Sequence, residues 1–204
     1  MPRTRRPEPI LLRLSLLPLL VLFLTGTTYR AELRSESFIE YEASDPNGAW
    51  QGRAPLETLE LTFNDEALND LRLEATLEPG KFDSGNLIRD ANARRGVFET
   101  GEYPSVTLRA EGVEADTASL AVGETKRVRL VGRLDMHGVS QEVTVPAEVS
   151  RDTGQSGEVL RAEGSFSVLL SDYSMDRPSF LGTTVNDEVT VRFNVVGTLS
   201  EIAN

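Results

Sequence analysis

The run RVRLVGRLDMHGVSQEVTVPAEV (127–149) decides the class of fold. Val128, Leu130, Gly132, Leu134 and Met136 alternate with Arg127, Arg129, Val131, Arg133 and Asp135. Past His137-Gly138, Val143, Val145, Ala147 and Val149 alternate with Glu142, Thr144, Pro146 and Glu148. A period of two puts one set of side chains on each face of a strand. Two such runs separated by two residues, the second a glycine free to take positive φ, spell an antiparallel hairpin. Pairing Met136 with Val139 sets Arg133 opposite Glu142, Arg127 opposite Glu148, Gly132 opposite Val143 and Leu130 opposite Val145. Opposite charges then meet on one face and apolar groups on the other, which is what fixes a register.

Working outward, the same alternation recurs. Leu59, Leu61 and Phe63 carry it, as do Leu71, Leu73, Ala75 and Leu77, and Val106, Leu108 and Ala110. Leu160, Ala162, Gly164, Phe166, Val168 and Leu170 form another run, and Val189, Val191, Phe193 and Val195 a further one. With a strand near Phe38–Tyr41 the count is about eight. No βα alternation interrupts them, so the expected fold is all-β: an antiparallel, roughly eight-stranded, lipocalin-like barrel. A sandwich is the competing arrangement. The runs 127–136, 142–150, 159–170 and 188–200 exceed the usual strand of about 5–6 residues, and long tilted strands are what closure requires.

Two stretches break the pattern. Residues 78–104 read EPGKFDSGNLIRDANARRGVFETGEYP, where Asp83, Ser84 and Asn86 are candidate caps for a short helix over 86–95. Leu87 and Phe98 are expected to face the barrel, and Arg89, Asp90, Arg94 and Arg95 the solvent. The second stretch is SDYSMDRPSFLGTTVND (171–187). Such inserts commonly cap the mouth of a barrel.

The N-terminus is of another kind. Arg3, Arg5 and Arg6 precede an uncharged run, LSLLPLLVLFLTG (14–26), followed by small residues. Basic, apolar and small in that order reads as a signal peptide; uncleaved, residues 10–26 would be a membrane anchor. The expected organisation is therefore 1–27 signal peptide or anchor, 28–34 linker and 35–204 barrel, in a periplasmic or secreted protein. Losing residues 1–27 removes four arginines and Glu8 and moves the net charge from −11 to −14. Such acidity argues against nucleic acid as a partner and against adsorption to anionic lipid. No cysteine and a single histidine, His137, are present. Thiol catalysis, disulfides and cysteine- or multi-histidine-ligated metals are thereby excluded, and neither a metal nor a cofactor is expected.

FDSGNLIRDANARRGVFETGEYPSVTL (82–108), VGRLDMHGVSQEVTVP (131–146) and FSVLLSDYSMDRPSF (166–180) together resemble the YceI-like family. The shared elements are Phe82, Ser84, Arg89-Asp90, Tyr103-Pro104, and Gly132, Leu134 and His137-Gly138-Val139. That resemblance implies a periplasmic, lipocalin-like protein that binds polyisoprenoids and related amphiphiles. The chain departs from the family at SFIEYEASDPNGAWQG (37–52), where Asp45 and Gly48 stand in place of histidines found in many members.

Among polar candidates, His137 reads as an exposed turn residue. Arg89-Asp90 reads as a pair fixing the helix to the barrel rim, with headgroup contact as the alternative. Asp172, Asp176 and Arg177 beside Tyr173 read as a structural loop. Asp65, Glu66 and Asp70 lack calcium-loop spacing. No convergent set of titratable groups marks an active site, so no enzyme is expected. The candidate ligand-binding residues are the inward set Leu130, Leu134, Val143, Val145, Phe166, Val168, Val189, Val191 and Phe193, with small neighbours at Gly132, Ala147, Ala162 and Gly164. A barrel so lined holds a polyisoprenoid or other long-chain amphiphile; a filled barrel acting as an interaction module, and an enzyme on an isoprenoid-type lipid, are the alternatives. A homodimer is compatible with either.

Overall fold

The hairpin across His137-Gly138 anchors the architecture. The computed structural model describes residues 26–115, 118–180 and 182–202. β7 (Glu124–Met136) pairs antiparallel with β8 (Val139–Gly154), with Met136 opposite Val139, Arg133 opposite Glu142 and Arg127 opposite Glu148. His137 and Gly138 have φ of 52° and 73°, positive at both turn positions as a type I′ turn needs.

From this pair the sheet extends both ways. On one side lie β6 (Val106–Ala115), β5 (Ala67–Leu77), β4 (Thr58–Asn64) and β1 (Thr28–Leu33). On the other lie β9 (Gly157–Leu169) and β12 (Glu188–Glu201). β12 then pairs with β1, Gly197 opposite Leu33, and the sheet closes on itself as an eight-stranded antiparallel barrel. β2 (Phe38–Asp45) takes up the same edge of β12, Asn194 opposite Phe38, so β1 and β2 form one long line alongside it. β3 (Gly48–Pro55) returns along β2 and leads into β4. Residues 28–34, expected as a linker, therefore hold a barrel strand. Tyr29, Ala31 and Leu33 carry an alternation of their own, and burying Tyr29 and Ala31 stabilises the closure. The segment 1–27, expected as signal peptide or anchor, lies outside the described residues apart from its last two.

Close packing explains two glycines. A Cβ on Gly132 would lie 2.1 Å from the Arg109 carbonyl oxygen, beside the register shift between Ala110 and Val113. A Cβ on Gly164 would lie 2.3 Å from the Pro146 oxygen and 2.7 Å from the Phe193 ring. No bulge falls at Gly164, so inward parity holds along β9.

The two ends differ. One end gathers the β2–β3 turn, the β7–β8 turn and both inserts. The first insert carries a single 3-10 turn (Pro79–Lys81) and α1 (Leu87–Gly96); the second carries a 3-10 turn (Leu170–Tyr173) and a two-residue ladder, β10 (Ser179–Phe180) with β11 (Thr183–Thr184). The first insert attaches to the rim through Arg53, whose backbone exchanges hydrogen bonds of 2.9 and 3.0 Å with Asp83, and the second through the Asn186 N–H, which donates to the Ser44 carbonyl at 2.8 Å. The opposite end holds both termini of the described chain, joined by a 2.8 Å bond from the Ile202 N–H to the Thr28 carbonyl. There, buried Leu68 and Leu120 pack with Tyr29, Phe63, Leu160 and Leu199.

Candidate functional site

Inward alternation on eight strands leaves a central cavity of about 660 Å³, within the roughly 300–1,000 Å³ typical of small-molecule sites. Of the nine residues expected to line it, Leu130, Leu134, Val145, Phe166, Val168, Val189, Val191 and Phe193 do so. Val143 does not; it packs into the wall against the cluster of Leu134, Met136 and Val168. Of the four small neighbours, Ala147 and Ala162 also line the cavity. Gly132 and Gly164 instead accommodate neighbouring backbone and the Phe193 ring.

The other half of the lining comes from strands whose interiors the sequence reading left unassigned. Leu59 and Leu61 of β4, Leu71 and Leu73 of β5 and Leu108 of β6 face the cavity, as do Tyr41 of β2 and Trp50 of β3. Their alternation carries the same parity signal as the hairpin. Phe82 and Phe98 of the first insert complete an aromatic wall near the mouth. The rings of Tyr41 and Phe82 meet edge-on at 5.0 Å, and those of Phe82 and Phe98 stack at 5.7 Å. Tyr41 lies on Gly52, where a Cβ would be 2.3 Å from its ring. Burial, then the nearby Asp90 carboxylate, pushes the Tyr41 hydroxyl pKa up.

Polar groups gather at the mouth. The Asn86 side chain caps α1, accepting from the N–H groups of Ile88 and Arg89 at 3.1 Å each. Asn86 and, on the helix, Arg89, Asn92 and Ala93 face the cavity. Leu87, expected to face the barrel, is 84% exposed, and Ile88 beside it 76%. Asp90, expected in solvent, is 3% exposed and accepts from the Ser84 N–H and hydroxyl. Arg89 donates from Nε to the same hydroxyl at 2.9 Å and from Nη2 to the Ser84 carbonyl at 3.0 Å. A buried carboxylate needs such donors as partners, and the pair seats the helix on the rim. The Arg89 guanidinium also lies 5.4 Å over the Trp50 ring. Arg94 donates to the Gly80 carbonyl at 2.7 Å. Lys81 bridges Glu57 at 2.8 Å and Glu78 at 3.4 Å, chiefly the Glu57 contact raising its pKa.

The remaining polar candidates are structural. The His137 side chain, expected in solvent, is 8% exposed; Nε2 lies 2.9 Å from Glu99 and Nδ1 3.2 Å from the Tyr173 carbonyl. Its turn thus ties both inserts together. Tyr173 is buried in the core, and Arg177 donates to the Val185 carbonyl. Asp65 binds Arg151 at 3.1 Å and the Thr27 N–H at 2.8 Å. Among the described residues no group of three or more His, Asp or Glu side chains is placed to hold a metal, and no helix is long and apolar enough to cross a membrane.

What this arrangement can do is surround an apolar chain and meet its polar end at one mouth. Known proteins share the barrel. A polyisoprenoid binding domain from Saccharophagus degradans, implicated in plant cell wall breakdown, superposes with a TM-score of 0.63 at 18% identity, over 85% of this chain and 99% of that one. BcnA of Burkholderia cenocepacia gives 0.65 at 18%, over 82% and 100%. A YceI protein of Campylobacter jejuni gives 0.54 at 17%, over 72% and 81%. At these identities the likeness is one of fold. No curated protein sequence matches the chain. The model of the YceI-like domain, however, matches residues 33–197, and this chain belongs to the YceI-like domain family.

Proposed function

We propose that the protein is an extracytoplasmic binding protein that holds a long apolar or amphiphilic molecule, of polyisoprenoid or fatty-chain type, inside its barrel for transport, storage or sequestration. The cavity of about 660 Å³ carries this reading: a filled barrel acting as an interaction module would have no such space. Burial alone supplies affinity there, at about 25 cal/mol per Å² of apolar surface removed from water. The tail lies among the leucines and valines of the wall, and the polar end at Arg89, Asn86 and Asn92. The Saccharophagus degradans neighbour, a polyisoprenoid binding domain, supports the ligand class. The basic, apolar and small order of the first 27 residues supports export. Binding without turnover is favoured because Arg89, Ser84 and Asp90 satisfy one another rather than converging on an open position.

The test is mass spectrometry of an organic extract of the purified protein, which should contain an isoprenoid or fatty amphiphile. Val168→Trp supplies the control. Val168 is 8% exposed and lines the cavity, so an indole there should take the ligand's space: bound lipid is lost and the melting temperature moves little. A barrel without a cavity would instead lose about 1–3 kcal/mol to overpacking. That outcome, with no lipid in the unmodified extract, would end the binding reading.

A further inference from the structure

The end of the cavity remote from the mouth is sealed, and by a residue that belongs to no strand. Leu120 lies in the β6–β7 connection, is 1% exposed, and lines the cavity together with Leu68, Leu61, Leu160 and Ala31. Its position is imposed from outside the barrel. The Leu120 N–H donates to the Asp65 carbonyl at 2.8 Å, and the Leu68 N–H to the Ala118 carbonyl at 2.7 Å. Arg151, itself 3% exposed, donates from Nη1 to the Leu120 carbonyl at 3.0 Å and to the Asp65 carboxylate at 3.1 Å. Its Nη2 binds Glu158 at 2.7 Å, and its guanidinium lies 4.2 Å over the Tyr29 ring. A strap held by so many directed bonds is a fixed floor.

From this we infer that Leu120 is a specificity-determining residue that sets the longest tail the barrel accepts. The inference rests on the proposal that an apolar chain occupies the cavity. A chain entering at the Arg89 end advances until it meets Leu120. Between Lys126 near the floor and Met136 near the mouth, ten residues of β7 at about 3.3 Å each, tilted by about 40°, give an available depth of about 25 Å. Each unit of tail within that depth trades water for apolar wall, so affinity rises with length. A unit beyond it must stay in solvent or draw the headgroup out of the mouth, so affinity then stops rising. A tube open at both ends would show no such break, because surplus chain would pass through.

Binding of linear prenyl alcohols of increasing length, from geraniol upward, to the delipidated full barrel tests this by displacement of a fluorescent fatty probe. The unmodified protein should show affinity climbing with length to a break point. Leu120→Ala lowers the floor and should move the break one isoprene unit longer. Ala31→Leu raises the floor and should move it shorter, so the test stands even if one variant folds poorly. Leu170→Ala, which enlarges the cavity near the mouth, should weaken binding without moving the break. If the unmodified protein binds prenols but neither floor variant moves the break, the role of Leu120 is wrong. If no prenol or fatty probe binds at all, the proposed function itself fails, and the floor with it.

Discussion

His137 shows what a single position can hide. Glu99, His137 and Ser174 are the non-glycine residues at positive φ among those described, at 45°, 52° and 55°. They come from three connections and meet at one junction, since His137 touches Glu99 and the carbonyl of Tyr173. Next to it, Tyr173 is 2% exposed, and burial, followed by the carboxylates of Asp172 and Asp135, pushes its hydroxyl pKa up to about 12. A tyrosine in an unfolded chain ionises near about 10. The fold thus holds the neutral phenol, and this stability is complete below about pH 10 and lost as pH climbs towards 12. In an alkaline titration, tyrosinate absorbance and loss of far-ultraviolet circular dichroism should share a late phase in that window. Tyr173→Phe should move that phase to higher pH; a transition that stays put would mean another group governs it.

Among elements, α1 is held by a few directed side-chain contacts. Its first turn depends on the Asn86 cap and its seat on the Ser84–Asp90 contact. Asn86→Ala should cost about 0.5–2 kcal/mol. The loss should be local: hydrogen exchange over residues 87–96 should quicken while β7 and β8 stay protected. Bound ligand should leave faster, because the helix forms part of the mouth. The contrast between α1 and the β7–β8 hairpin also marks where sequence reading stops. The hairpin was legible to the residue, because both its alternation and its turn lie within 127–149. Parity likewise placed eight of nine chosen residues on the cavity. The inner face of α1 was misjudged, with Leu87 turned in and Asp90 out, because an external partner, Ser84, sets its rotation. β1 was missed because its partners, Leu61–Asn64 and Gly197–Glu201, lie far along the chain. Leu120 carries no periodic signal; its burial follows from Asp65 and Arg151, which tertiary structure alone brings near it.

At the scale of the molecule, two kinds of ion pair contribute differently. Arg133 and Glu142 stand 3.5 Å apart with side chains 56% and 85% exposed, in a setting where such pairs contribute about 0–1 kcal/mol. Arg151 is 3% exposed, and removing it leaves the Leu120 carbonyl without its donor inside the end of the barrel. A buried acceptor left unpaired costs about 1–3 kcal/mol. Arg151→Met should therefore lower the melting temperature measurably, and Arg133→Met should leave it within error. Equal effects would show that the strap contributes no more than the surface. The same end of the barrel has a consequence for how the molecule can be held. Thr28 and Ile202 sit together there, on the pole away from the inserts. A support or tether joined directly at Thr28 or Ile202 therefore leaves the doorway facing away from it, open to solute.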